Sequence, residues 1–319
     1  MQNNVNSYPL NGTVKKVETM NEETLNPRTE VEKILTKTDL DWSVRMEDLV
    51  AQPSNLETPC AGLFRDDTHN YLGVVSKKYT IYQNKELVDT IMEAAKNFNL
   101  EIVKGGWLFE GERVYLQLEL PTIYVGNSEV KRFITAMNSH NGRGSVVFGA
   151  TNEIINLTES GVTSTKFFRI FKEMDKFRHT QSVHSRVNSA VQGLFKSLTA
   201  ENETTLLMKK MQETKLEDKV LRELLFKCYK VDLNENKETL PTRTKNRIER
   251  ISNVLTGEVK KQEGSLWGLF QGVLRNTQLA TPKNKTTDEN VFGGSGRVVN
   301  MKAFNIISNY INQKEEKNK

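Results

Sequence analysis

The chain has 319 residues, 37% hydrophobic and 27% charged, and its 45 Lys and Arg against 40 Asp and Glu give a formal charge of +5. This is enough chain for one large domain or two with an ample core, and the mild positive balance permits a polyanionic partner without requiring one. No apolar run approaches the roughly 18 residues of a membrane helix, and the opening MQNNVNSYPLNG lacks a signal peptide, so a cytoplasmic protein with no membrane partner is expected.

Residues 1–30 are rich in Asn, Thr, Glu and Lys and too poor in apolar groups to offset ordering, which predicts a flexible arm. Val31–Leu35 starts a short helix. Trp42, Val44, Met46 and Leu49 are core candidates, and Cys60–Arg65 is a first strand. Leu72–Ser76 and Tyr79–Gln83 are short, β-branched and aromatic, which predicts strands. In Asn84–Phe98, Leu87, Val88, Ile91, Ala94, Ala95 and Phe98 recur at helical spacing, with Asn84 as a cap. Leu100–Phe109 and Arg113–Leu120 flank Glu110-Gly111-Glu112, a hairpin signal. The expected fold is α+β: a mixed or antiparallel sheet carrying a ββαββ unit, followed by a helical C-terminal half.

Further strands are expected at Thr122–Val125, Lys131–Asn138 and Gly144–Phe148, while 151–163 suits a strand or a tight loop. Between them, Ser139-His140-Asn141-Gly142-Arg143-Gly144 reads as a type I′ hairpin turn. From Thr165 the spacing of Phe167, Ile170, Phe171, Met174 and Phe177 predicts a helix, with Lys166, Arg169, Lys172 and Lys176 on its opposite side. A second helix carries Val187, Val191, Leu194 and Leu198. A third spans Glu203–Lys230, with an interruption near Thr214. Then come Lys245–Leu255, stopped by Gly257, Ser265–Asn276, a loop over Lys283–Gly296, a last helix at Met301–Ile311 and a solvated tail. The expected organisation is an arm over 1–30, a sheet core over 31–163, a helical region over 164–312 and a tail over 313–319.

Motifs for catalysis are scarce. Cys60 and Cys228 form no CxxC, and the four histidines include no HExxH or HxH, so no metal ligand set and no cofactor are expected. Neither Gly142-x-Gly144 nor Gly293-Gly294-x-Gly296-Arg297 follows a nucleotide-binding pattern, and no GxSxG marks a nucleophile. No catalytic residue is assigned. Asp66, Asp67, His69 and His140 are the acid–base or metal set on which a hydrolase would depend.

Several short motifs in order resemble a known family. Tyr71-Leu72-Gly73-Val74-Val75-Ser76-Lys77-Lys78-Tyr79 and Gln83-Asn84 open the series. Gly105-Gly106-Trp107, Gly111-Glu112-Arg113, Ser139-His140-Asn141-Gly142, Arg178-His179-Thr180 and Trp267-Gly268 follow. Together they resemble the phage/plasmid-related conserved proteins of unknown function. The resemblance implies a mobile-element setting rather than a reaction, and 150–163 lacks the Cys-Asn-rich segment usual in that family.

Charge supplies the functional expectation. Lys166, Arg169, Lys172 and Lys176 on one predicted helix face, with Arg178, His179 and Arg186 downstream, match a row of phosphates. Lys77 and Lys78 add cations beside Tyr79, an aromatic able to stack a base, and Arg143 sits at a glycine-flanked tip suited to a phosphate. The expectation is a single-stranded DNA-binding protein, similar in outline to phage strand-annealing recombination proteins, which work as oligomers without a cofactor. The rivals are a non-catalytic structural or interaction protein of a mobile element and a metal-dependent hydrolase.

Overall fold

The computed structural model describes residues 29–158, 161–170, 179, 187–232 and 240–317. Helix α1 (Glu30–Lys37) starts at a capping box in which the Thr29 hydroxyl accepts the Glu32 N–H and the Glu32 carboxylate accepts the Thr29 N–H. A three-stranded antiparallel sheet follows, β1 (Val44–Ala51), β2 (Leu56–Arg65) and β3 (Tyr71–Ser76), in that order. After α2 (Asn84–Lys96) comes a five-stranded antiparallel meander. Its strands are β4 (Ile102–Leu108), β5 (Arg113–Val125), β6 (Ser128–Ser139), β7 (Val147–Thr158) and β8 (Gly161–Ile170). The rest is helical: α3 (Val187–Glu213), α4 (Asp218–Tyr229), α5 (Thr242–Lys261), α6 (Leu266–Leu279), α7 (Thr287–Phe292) and α8 (Ser295–Lys317). The fold is α+β, with antiparallel sheets and a helical C-terminal half.

Strand alternation decides where the core lies. Val114, Leu116, Leu118 and Leu120 of β5, with Ile134, Ala136, Phe148 and Ala150 of β6 and β7, bury against Leu87, Val88 and Ile91 of α2 and Ala190 and Leu194 of α3. Further along the same face, Val130, Ile154 and Phe167 meet Trp267 and Phe270 of α6 and Phe304 and Ile307 of α8. At one end of the opposite face, Met137 and Phe168 pack on Val291 and Phe292 of α7. Each of the Val, Leu, Ile, Met and Phe side chains among them contributes about 1.5–3 kcal/mol by leaving water. Among the described residues, no helix is long and apolar enough to cross a membrane.

The structure corrects several expectations. The strands on either side of α2 belong to different sheets, so the ββαββ unit is not one sheet. Tyr79–Gln83 is not a strand but the approach to α2; Gln83, rather than Asn84, is its N-cap, and Asn84 turns inward to donate to the Leu40 and Trp42 carbonyls. Up to Ile170 the helix expected from Thr165 is instead β8, which carries the sheet past residue 163, while Phe171, Met174 and Phe177 lie outside the described residues. Its consecutive Phe167 and Phe168 point to opposite faces, one against Phe270 and Phe304, the other against Phe292. A strand covered on both sides has no polar alternation, so its apolar residues passed for a helical stripe. Helix α5 runs through Gly257, where an added Cβ would meet nothing within 4 Å. The loop expected over Lys283–Gly296 contains α7, and α8 extends through most of the expected tail.

Candidate functional site

The Ser139–Gly144 turn is a clasp between the two sheets. Gly73 of β3 lies so close that a Cβ there would sit 2.5 Å from the Asn141 carbonyl oxygen. Gly142, at φ +72°, leaves the same kind of room for Val75 and the Val74 carbonyl. Asn141 itself does not have positive φ, so the turn is not the type I′ expected. The Asn141 Oδ1 accepts from the Ser139 hydroxyl at 2.7 Å and the Arg143 N–H at 3.0 Å, while its amide donates to Glu112 at 2.9 Å.

His140, 1% exposed, stands edge-on to Trp42. The Asn84 amide nitrogen donates to two carbonyls, so its oxygen faces His140 Nε2 at 2.8 Å and requires the proton on that nitrogen. Burial pushes the His140 pKa down to about 3, and the nearby His179 works in the same direction. His179 stacks on Tyr79 at 5.0 Å and meets Tyr82 edge-on. Burial lowers its pKa to about 4, with the Thr80 backbone opposing the shift. Two motifs distant in the chain thus share one buried patch of neutral imidazoles.

Gly73 offers a direct check on the clasp. Gly73→Ala is expected to lose about 1–3 kcal/mol of stability in urea unfolding, because the intruding methyl meets backbone rather than a flexible side chain. Gly106→Ala, whose added Cβ would find only ordinary contacts at 3.5 Å and beyond, should change stability by no more than about 0.5 kcal/mol. Equal losses at both positions would refute the clasp.

Among the described residues, the cations singled out by sequence do not line one common face. Lys77 is paired with Asp48 and Glu57. Tyr79 is engaged by His179 instead of standing free, and its hydroxyl is buried. Lys166 and Arg169 lie an odd number of residues apart on β8 and so face opposite ways. Lys166 meets Asp288 at 2.6 Å; the Arg169 guanidinium donates to Thr204 and lies over Phe304. Lys78 is exposed, and so is Arg143 beside the clasp. Lys172, Lys176, Arg178 and Arg186 lie outside the described residues. The expected hydrolase set does not converge either: Asp66 is bound by Ser43, His69 Nδ1 lies 2.8 Å from Arg45, and His140 faces Asn84.

A basic groove that sequence reading missed runs between α4 and α8, with a volume of about 750 Å³. Lys219, Lys227, Lys230 and Lys302 line it, with Glu223 as the carboxylate among its lining residues and Asn305, Asn309 and Gln313 as amides. Lys227 pairs with Glu223 and Lys219 with Glu217, whereas Lys230 and Lys302 have no carboxylate partner among the described residues. Lys230 reaches over Phe226, a ring 55% exposed to solvent. The signal was present, because residues 219, 223, 227 and 230 recur along one face of a helix.

Residues 71–155 match the family model described as a domain of unknown function (DUF932). The match relates this part of the chain to an uncharacterised family. No curated protein and no solved structure matches the chain. The DUF932 segment runs from β3 into β7 and holds Gly73, Asn84, Glu112 and the whole clasp, while the lysine groove lies beyond it.

Proposed function

We propose that the protein binds single-stranded nucleic acid along the α4–α8 groove and acts on it as a strand-annealing protein of a phage or plasmid. The observation that carries this reading is the groove itself: four lysines face one open channel that has a single lining carboxylate. Lysines spaced along a groove follow a flexible phosphodiester backbone, the amides serve sugar and phosphate oxygens, and the exposed Phe226 ring provides a stacking surface. The mobile-element setting rests on the motif resemblance. A copy-to-copy assembly that lines up several grooves would give the cooperative grip that annealing needs.

The test is a mobility shift with oligo-deoxythymidine. With about four phosphates neutralised, raising salt from roughly 50 to 200 mM should weaken binding about 50-fold. Lys230→Glu/Lys302→Glu should bind at least about tenfold more weakly at low salt and flatten the salt dependence. Unchanged binding by the double variant, or tighter binding of duplex, would defeat the proposal. The interaction-protein alternative draws on a different feature, the exposed Tyr124, Leu157 and Val162 at one end of the meander. It requires the double variant to behave as the parent.

A further inference from the structure

At the start of β5 and the start of α8, two arginines lie close enough for their charges to repel. The Arg113 guanidinium rests on the bare backbone of Gly293: its Nη1 is 2.5 Å from where a Cβ would be, and it lies over the Phe109 ring. Arg297, half-buried in the first turns of α8, has its Nε sealed from solvent with no hydrogen-bond partner. Burial and the Arg113 charge both loosen its hold on its proton. Among the described residues neither guanidinium makes a salt bridge or a side-chain hydrogen bond.

The surrounding carboxylates are committed elsewhere. Glu289 accepts the Phe109 and Thr286 N–H groups, Asp288 holds Lys166, and Glu112 accepts from Asn141. The helix terminus is not what recommends the place, since the Gly296 N–H is already taken by Asn290. Two unneutralised cations in partial burial are unfavourable unless something negative joins them. Guanidinium forks present parallel N–H donors that match the oxygens of a tetrahedral oxyanion. A glycine at position 293 keeps the approach open, since any side chain would displace Arg113.

We propose that Arg113 and Arg297 together bind a phosphate group. The site is separate from the lysine groove and does not depend on it. Such a phosphate has two sources, a free or terminal phosphate monoester and an internal phosphodiester of a nucleic acid. Thermal unfolding of the full chain in inorganic phosphate, against chloride at matched ionic strength, supplies the test. A rise in melting temperature of roughly 2–4 °C is expected for the parent. Arg113→Gln and Arg297→Gln should each lose that rise, while melting in chloride no lower than the parent, because one repelling cation is gone. Lys230→Glu/Lys302→Glu should keep it. Thymidine 5′-monophosphate and the dinucleotide TpT then separate the sources. A rise with the monophosphate alone assigns a terminal phosphate, and an equal rise with TpT assigns a backbone phosphate. Should either Gln variant fold poorly in chloride, isothermal titration of Arg297→Lys with inorganic phosphate replaces it, with weakened binding expected. No rise in the parent, a rise that survives in the folded Gln variants, or parent-like binding by Arg297→Lys would overturn the proposal.

Discussion

Ser128→Ala is expected to destabilise the protein by about 3 kcal/mol or more, since each stranded polar group costs roughly 1–3 kcal/mol. Ser128 is fully buried at the start of β6, and its hydroxyl is a junction between sheet and helices. It accepts from Gln271 Nε2 at 2.9 Å, its other lone pair is shared by Gln262 Nε2 and Trp267 Nε1, both at 3.2 Å, and it donates to Asn156 Oδ1 at 2.6 Å. Asn156 closes the network by donating to Gln271 at 2.7 Å. Alanine would leave those N–H groups and one carbonyl in a dry interior with nothing in the serine's place. Urea unfolding followed by tryptophan fluorescence reads the loss. Because the junction ties the β5–β6 hairpin to α6, the variant should still unfold in one transition. A loss below about 1 kcal/mol would mean that the network is replaceable by water.

The legible parts of this fold are those where one face is wet and the other dry. Helix α2 announced itself because Leu87, Val88, Ile91, Ala94 and Ala95 are buried while Lys85, Thr90 and Lys96 are not. The break between α3 and α4 was equally readable near Thr214. Where both sides of an element are covered, the period vanishes: β8 read as a helix, and with it went the alignment of Lys166 with Arg169. Long-range partners were invisible for a different reason. Nothing near Lys166 in sequence announces Asp288, and nothing near Arg113 announces Arg297. The glycines were the better guides, since Gly73, Gly142 and Gly293 mark places where another segment presses against bare backbone.

The pH dependence of stability is expected to be bell-shaped with its maximum near pH 6.5, from three buried groups whose effects have opposite signs. His140 and His179 are held neutral in the folded state, with pKa values pushed down by burial to about 3 and about 4. Between those values and about 6.5 the unfolded chain therefore binds more protons, and stability rises with pH through that window. Glu201 of α3 is fully buried, and burial raises its pKa to about 8, with Arg132, Asn152 and Arg169 pulling the other way. From its ordinary value near 4.5 up to about 8, the folded state keeps a proton that the unfolded state has released, so this group's contribution falls as pH rises. Below about pH 6.5 the two histidines outweigh the one glutamate; above it, of these three, Glu201 alone still differs between the states, and stability declines. Its limiting slope is about 1.4 kcal/mol per pH unit. Glu201→Gln keeps a neutral hydrogen-bonding group of the same shape and should turn the decline between pH 6.5 and 8 into a plateau, leaving the acid limb in place. The checking measurement is the urea midpoint at half-unit pH steps for parent and variant. A parent curve flat above pH 6.5, or a variant curve that still declines there, would show that Glu201 is ionised beside Arg132 and Arg169 and that its burial is offset by the pair.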